Sequence, residues 1–297
     1  MTTLTATESA SPDQQHVSAV LSGLNQLSHW RGRTVVIKYG GAAMGCADLR
    51  VSFARDVARL YAAGVHLVVV HGGGPQIDVL MRRLGKSPRF VDGLRVTDQE
   101  TMELVEMVLV GRVNPELVGL INQYGGHAIG LNGKDCDLIV AHRWPHRRPN
   151  GETVDLGFVG EVEAINPEPL RILDAHGLIP VIAPIATGRD GATYNVNADH
   201  VAGMVAAALG AAALIQLTDV PGILDRDGHA FELVGRRDLE RLVREHVTVG
   251  GMLPKVDAAV DALGHGAERV RIVDGRRPHA VVLALLGGKS HGTEIVR

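Results

Sequence analysis

The sequence predicts an α/β protein, a three-layer αβα sandwich with a central, mainly parallel sheet and an amphipathic helix ahead of it. Three observations predict this fold class. Strand-length apolar runs alternate with helical patterns through most of the 297 residues. Glycine-rich turns follow the first two runs, where such sheets need tight strand–helix connections. Val17, Val20, Leu21, Leu24 and Leu27 recur at helical spacing before the first run. The length can bury a large core, and two closely packed lobes are expected.

The elements follow in order. A polar Ser/Thr-rich head and the amphipathic helix occupy 1–32, ending near Gly32. Apolar runs at 34–37 and 65–70 flank a helical stretch at 49–61, a strand–helix–strand unit expected to be parallel and right-handed. Runs of strand length recur at 128–131, 178–183, 213–217, 270–273 and 280–286. The stretch 141–162 breaks the rhythm with Trp144, Pro145, Pro149, Asn150 and Gly151, and reads as a β-hairpin excursion. A turn-rich patch at Gly188, Asp190 and Gly191 precedes a helical run at 198–209, which places a lobe boundary near 195–200. The expected division is a head and helix at 1–32, an N-lobe at 33–197 and a C-lobe at 198–297.

Composition narrows the function. The formal charge is -3, with no basic run, which argues against a nucleic-acid partner. Cys46 and Cys136 are far apart without a CxxC pattern, and the 14 histidines are scattered without His-Glu-x-x-His spacing. Neither a disulfide framework nor a metal site is expected. No segment reaches membrane-spanning length and the head lacks an apolar signal core, so a soluble cytoplasmic protein is expected.

The strand ends suggest the chemistry. The first strand closes in Ile37-Lys38-Tyr39-Gly40-Gly41, and the second in His71-Gly72-Gly73-Gly74-Pro75-Gln76, with a helix able to begin at Pro75. Ligands of open parallel sheets bind at that carboxyl edge, and glycine amides at a helix start favour an anion. One such turn would read as a tight connection; two at successive strand ends read as a phosphate cradle. Commoner nucleotide signatures fail. Gly288-Lys289-Ser290 lacks the upstream glycine of a P-loop, because Leu283 stands there. The chain has neither His-Arg-Asp nor Asp-Phe-Gly, and no Gly-x-Gly-x-x-Gly follows the first strand.

The turns belong to a longer series: Val36-Ile37-Lys38-Tyr39-Gly40-Gly41, Val70-His71-Gly72-Gly73-Gly74-Pro75-Gln76, Gly93-Leu94-Arg95-Val96-Thr97, Asn195-Val196-Asn197-Ala198-Asp199, Leu217-Thr218-Asp219-Val220-Pro221-Gly222 and Gly250-Gly251-Met252-Leu253-Pro254-Lys255. With these six motifs in order over 34–297, the chain resembles the acetylglutamate kinases of the amino acid kinase superfamily. The resemblance implies the amino acid kinase fold, an N-lobe binding N-acetyl-L-glutamate and a C-lobe binding ATP, with Mg²⁺ carried on the nucleotide. It implies that Lys38 and Lys255 flank the transferring phosphoryl and that Asp199 orients them. Arg95 and Asn195 would hold the acceptor's α-carboxylate end, the amides of Gly40, Gly41, Gly73 and Gly74 would contact phosphate and acceptor, and Thr218, Asp219 and Met252 would border the nucleotide.

Physical chemistry agrees with these roles. A side-chain carboxyl of the glutamate type ionises with a pKa of about 4.3, so such an acceptor is an anion at neutral pH and needs no general base. It needs compensation of charge, because acceptor and ATP repel. Two lysines from separate parts of the chain meet that need. Arg95 suits a carboxylate through its two-pronged fork. His71 reads as a structural side chain at a strand end, and Asp199, opening a helical run, could equally be a simple helix-terminus acid.

Two departures touch the acceptor side: Ala42 stands where the resemblance suggests asparagine, and Leu131-Asn132-Gly133-Lys134-Asp135-Cys136 ends in bulkier residues. The N-terminal helix is similar to the arm that interlocks dimers into hexamers in arginine-inhibited members, so a homo-oligomer is expected, with packing on its own lobe as the alternative. Arginine is a candidate effector, but the acidic residue that pairs with it in sensitive members, placed in a C-terminal strand, is here Ala284. A sister kinase acting on another carboxylate, such as an acetylated aminoadipate, is the alternative enzyme. A regulatory paralogue binding arginine or acetylglutamate is the non-catalytic one, and retention of both lysines and Asp199 argues against it.

Overall fold

The computed structural model describes residues 11–148, 151–245, 250–288 and 291–297. The head at 1–10, Pro149 and Asn150 of the excursion, and Lys289 and Ser290 lie outside them. Helix α1 (Pro12–Trp30) starts at a capping box: the Ser11 hydroxyl accepts from the Gln14 N–H, the Gln14 side chain accepts from the Ser11 N–H, and Pro12 sits in the first turn. Its last turn is anchored by buried Trp30, whose Nε1 donates to the Leu285 carbonyl at 3.2 Å. Val17, Val20, Leu21 and Leu24 remain 54–58% exposed.

The expected parallel unit is present as β1 (Thr34–Tyr39), α2 (Ala47–Ala62) and β2 (His66–His71), in a register that pairs Lys38 with Val70 and Tyr39 with His71. Helix α3 (Gly74–Arg83) follows at once. The short strands β3 (Phe90–Val91) and β4 (Leu94–Arg95) turn over Asp92 and Gly93, both at positive φ (50° and 81°), which sets Arg95 opposite Phe90. Helix α4 (Gln99–Val108), capped by the Asp98 carboxylate, passes through a π-helical turn at Leu109–Val113 into α5 (Asn114–Gln123).

Strand β5 (Ala128–Asn132) then leads to the excursion. β6 (Ile139–Arg143) and β9 (Val159–Ile165) pair antiparallel, tipped by the ribbon of β7 (His146–Arg147) and β8 (Thr153–Val154). After α6 (Glu168–Ala175) and β10 (Ile179–Ala183) come β11 (Ile185–Gly188) and β12 (Thr193–Val196), and with β6 and β9 they close into a four-stranded ring. The patch at Gly188, Asp190 and Gly191 is thus the turn of a hairpin, and α7 (Ala198–Leu209) opens only after β12.

The rest of the chain supplies β13 (Ala213–Thr218), β14 (Leu233–Gly235), α8 (Arg236–Arg244), α9 (Leu253–Gly264), β15 (Arg269–Asp274), α10 (Ala280–Leu286) and β16 (Thr293–Val296). One eight-stranded sheet runs β14-β16-β15-β13-β1-β2-β10-β5, parallel at every pairing except β15 with β16. Successive β1 residues face opposite cores. Val35, Ile37 and Tyr39 pack with α2, α4, α5 and α10, whereas Val36 packs with α6, α7, α8 and α9. The layering is αβα with a mainly parallel sheet, as the sequence predicts.

One expected strand is a helix. The run at 280–286 forms α10, burying Ala280, Val281, Ala284 and Leu285 against the sheet. Apolar length alone does not separate a short buried helix from a strand, and the i, i+4 spacing of the buried pairs decides it. Ala284 therefore sits in a helix, and the sheet is completed instead by the short β14 and β16.

Candidate active site

The two glycine turns expected at successive strand ends lie against one another. The Gly72 N–H donates to the Tyr39 carbonyl at 2.8 Å, and a Cβ on Gly72 would lie 3.9 Å from Gly40 Cα. Gly41 has φ +66°, a conformation that favours glycine. Gly73 precedes the first turn of α3 and offers it no side-chain cap, so backbone amides front the turn.

Lys38, next to last in β1, has its side chain on the α7 side of the sheet. Asn197 caps α7, its Oδ1 accepting from the N–H groups of Asp199 and His200, which leaves the Asp199 carboxylate free to turn inward. One Asp199 oxygen lies 3.1 Å from Lys38 Nζ, and the other accepts from Lys255 Nζ of α9 at 3.0 Å. All three side chains are nearly enclosed, at 8%, 9% and 14% exposure for Lys38, Asp199 and Lys255. Asp199 is thus more than a helix-terminus acid.

Burial would lift the Asp199 carboxyl, but the two ammonium groups together hold it below the ordinary carboxylate range. Burial pulls the Lys38 ammonium below its usual value, with Lys255 adding to the fall and Asp199 opposing it. With both lysines protonated, the trio carries two cations and one anion, a net positive centre near the end of the central strand.

A cavity of about 640 Å³ opens beside these groups, lined by Lys38, Gly41, Thr218, Asp219, Met252 and Lys255 among others. The Thr218 hydroxyl donates to Asp219 Oδ1 at 3.2 Å. Every residue expected to border a nucleotide, apart from Gly40, lies in this wall; Gly40 sits behind it, where a Cβ would come 2.9 Å from Lys38 Nζ.

The acceptor-side residues form a second group. Arg95 Nη2 lies 2.7 Å from Asp78 Oδ1 and donates to the Gly74 carbonyl at 3.3 Å, while Nη1 reaches Met81 Sδ at 3.4 Å and the guanidinium covers the Phe90 ring. Asn195 joins through Thr97: its Nδ2 donates to Thr97 Oγ1 at 3.3 Å, and that hydroxyl donates to the Arg95 carbonyl at 2.9 Å. Gly73 abuts Leu109 and Val113 of the π-helical turn, which leaves no room for a side chain there.

Several participants carry little signal in the sequence. Asp78, one turn into α3, takes one prong of the Arg95 fork; a carboxylate four residues after Gly74 is the available sign of it. Asn114, at the start of α5, donates to His71 Nε2 at 3.1 Å and to the Val181 carbonyl at 2.8 Å. His71 Nδ1 bonds the Gly72 carbonyl at 2.8 Å, and burial lowers its pKa to about 4. A neutral, fully hydrogen-bonded His71 fits the structural role expected of it. Of the two departures, Ala42 lies in the 3-10 turn Gly41–Met44, and Cys136 is exposed in a turn whose carbonyl accepts from Asn166 Nδ2 at 3.0 Å.

Comparison with known proteins matches residues 33–274 to the amino acid kinase family. The chain belongs to that family. The match begins just after α1, leaving that helix outside the common core. The chain is 48% identical to the acetylglutamate kinase of Burkholderia thailandensis over 92% of each chain, and 47% identical to that of Syntrophobacter fumaroxidans over 94% of this chain and 95% of the other. The N-acetylglutamate synthase of Neisseria gonorrhoeae, solved with coenzyme A and N-acetyl-glutamate, shares the fold at a TM-score of 0.82 and 23% identity. The alignment covers 95% of this chain and 63% of the synthase. The carbamate kinase of Giardia lamblia bound to AMP-PNP superposes at 0.66 and 19% identity over 90% of this chain and 99% of that one. As an amino acid kinase, the chain is a phosphotransferase. Among the described residues no helix is long and apolar enough to cross a membrane, and no cluster of three His, Cys, Asp or Glu could hold a metal.

Proposed function

We propose that this chain transfers the γ-phosphoryl group of ATP to the γ-carboxylate of N-acetyl-L-glutamate, forming N-acetyl-L-glutamyl 5-phosphate in a cytoplasmic arginine-biosynthetic route. The observation that carries the reading is the pair of ammonium groups, one from β1 and one from α9, gathered on one buried carboxylate at the wall of the cavity. Acetylglutamate kinases alike over nine tenths of their length support the acceptor.

An acceptor carboxylate oxygen attacks the γ-phosphorus, the new O–P bond forms as the β–γ bridging O–P bond breaks, and ADP leaves with the electron pair. No proton is transferred, consistent with a site whose inward-facing carboxylate, Asp199, is already committed to two lysines. Lys38 and Lys255 meet the negative charge on the oxygens in transit, and Asp199 sets their direction. Mg²⁺ arrives on the ATP phosphates as part of the substrate and offsets their charge. Residues 33–197 supply the acceptor side, where Arg95, opposite Asp78, receives the α-carboxylate with Asn195 and the amides of Gly73 and Gly74. Residues 198–297 supply most of the nucleotide side, where Thr218, Asp219 and Met252 flank the ATP and the amides of Gly40 and Gly41 reach its phosphates.

The chain assembles, in this reading, as a homo-oligomer through α1, whose Val17, Val20, Leu21 and Leu24 are each more than half exposed on the subunit. Arginine is not assigned as an effector: the carbonyls of Ala284 and Gly288 already receive the guanidinium of the chain's own Arg271, the latter at 2.7 Å.

Incubation with Mg-ATP, N-acetyl-L-glutamate and hydroxylamine tests the proposal, because an acyl phosphate is trapped as a hydroxamate and a phosphate ester is not. Acceptor-dependent hydroxamate is expected. Its absence, or a higher rate with an acetylated aminoadipate, overturns the acceptor assignment.

A further inference from the structure

Strand β13 carries one side chain that the fold does not use. Gln216 is completely buried, and neither its Oε1 nor its Nε2 has a hydrogen-bond partner. An amide taken from water and left unbonded costs free energy that an aliphatic side chain would not, and buried polar groups in native proteins are nearly always satisfied. The surroundings favour an aliphatic residue, since Leu214 and Ile272 on the same face belong to the apolar core under α7 and α9.

The register gives the reason for the exception. Gln216 is the direct partner of Lys38 across the parallel β1–β13 pairing. Residues paired this way point to one face with their backbones about 4.8 Å apart. Val36 and Leu214, each two residues earlier, share the core beneath α7, so Lys38 and Gln216 lie on the same side of the sheet, the side on which Lys38 meets Asp199. An ammonium has three N–H bonds to place. Asp199, 3.1 Å away, faces one of them in the present structure.

We propose that Gln216 is a positioning residue for Lys38: as the ammonium turns from Asp199 toward the transferring phosphoryl, Gln216 Oε1 accepts one of its N–H bonds and fixes its aim. The inference rests on the phosphoryl-transfer reading above and adds to it a guide for one of the two cations. The amide is carried unbonded in the resting site, meets the ammonium once the nucleotide's phosphates draw it from Asp199, and holds it most firmly as the phosphoryl transfers, the behaviour expected of a group that serves the transition state more than the ground state.

The test compares the parent enzyme with Gln216→Met, of similar length and without the amide. Melting temperature should stay level or rise, while kcat falls about ten- to hundredfold, the span of one hydrogen bond to a charged group, with KM for ATP and acceptor within about twofold. Removing an acceptor from the charged lysine also moves the Lys38 titration to lower pH. This is followed by ¹⁵N-lysine NMR on the Mg-AMP-PNP complex without acceptor, with Lys38→Arg assigning the signal. Gln216→Glu should move the titration the other way. That measurement does not depend on which carboxylate the enzyme phosphorylates, so a wrong acceptor and a wrong role for Gln216 give different results. An unchanged Lys38 titration in Gln216→Met overturns the proposal whatever the rates, and so does an unchanged kcat.

Discussion

Asp199→Asn removes the charge that both lysines share while keeping the size of the side chain. Each ammonium lies about 3 Å from a carboxylate oxygen, and at an effective dielectric of about 20 each attraction is on the order of 5 kcal/mol before desolvation is counted. Breaking a buried pair by neutralising one member typically costs about 3–5 kcal/mol, because the remaining charge stays desolvated. In a chain of this size that is a fall in Tm of about 5–15 °C. Lys38 is already drawn below its ordinary value by burial, and without Asp199 it falls further, so the cation at the reaction centre is held less firmly. The hydroxamate assay should show kcat reduced by about a hundredfold or more. A cycle with Lys38→Met separates mechanism from simple damage: the double variant removes one of the stranded charges and should be less destabilised than the sum of the singles by about 1 kcal/mol or more. The stability that Asp199 contributes is present above about pH 4 and disappears as pH falls through its lowered folded value. Unchanged Tm and kcat in Asp199→Asn, or strict additivity in the cycle, refutes the shared-carboxylate account.

Other outcomes follow from the same structure. Lys38→Ala and Lys255→Ala should each cost about a hundredfold to a thousandfold in kcat with circular dichroism unchanged. His71 is held near pKa 4 by burial while the unfolded chain binds its proton near 6.5, so stability should fall as pH drops from about 6.5 toward 4, by up to about 3 kcal/mol, and His71→Gln should flatten that slope in denaturant titrations. Leu21→Glu with Leu24→Glu places charge on the exposed face of α1 and should lower the solution mass measured by light scattering without lowering subunit stability. Free arginine should leave the parent's rate and Tm unchanged, whereas Arg271→Ala, which vacates the carbonyl pair at Ala284 and Gly288, should gain a Tm increase with arginine.

Much of this architecture is local enough to be read from the chain. Lys38 followed by two glycines after Tyr39, and His71 followed by three, announce a strand end and its turn within a few residues, and the structure places them side by side. What escapes reading depends on contacts that no short window contains. The π-helical turn at Leu109–Val113, which packs against Gly73, and the Asn114–His71 bond both join segments that are far apart in the chain. The four-stranded ring is built from strands of four to seven residues whose partners are set only after the sheet has brought β11 and β12 beside β6 and β9. Residues 280–286 mislead because a wholly apolar run carries no alternation to separate helix from strand. Gln216 is conspicuous only when its burial and its neighbour Lys38 are both known.

The glycine at position 40 can now be understood differently from its companion at 41. Gly41 is required by its own backbone angle, but the space beside Gly40 is taken by the tip of Lys38. A methyl group there would displace a flexible ammonium and leave the backbone of the turn undisturbed, so Gly40→Ala should fold normally and misdirect the charge. Lysine and glycine two residues apart therefore behave as a single working part: the strand aims the cation, and the gap that follows gives its tip the clearance it occupies.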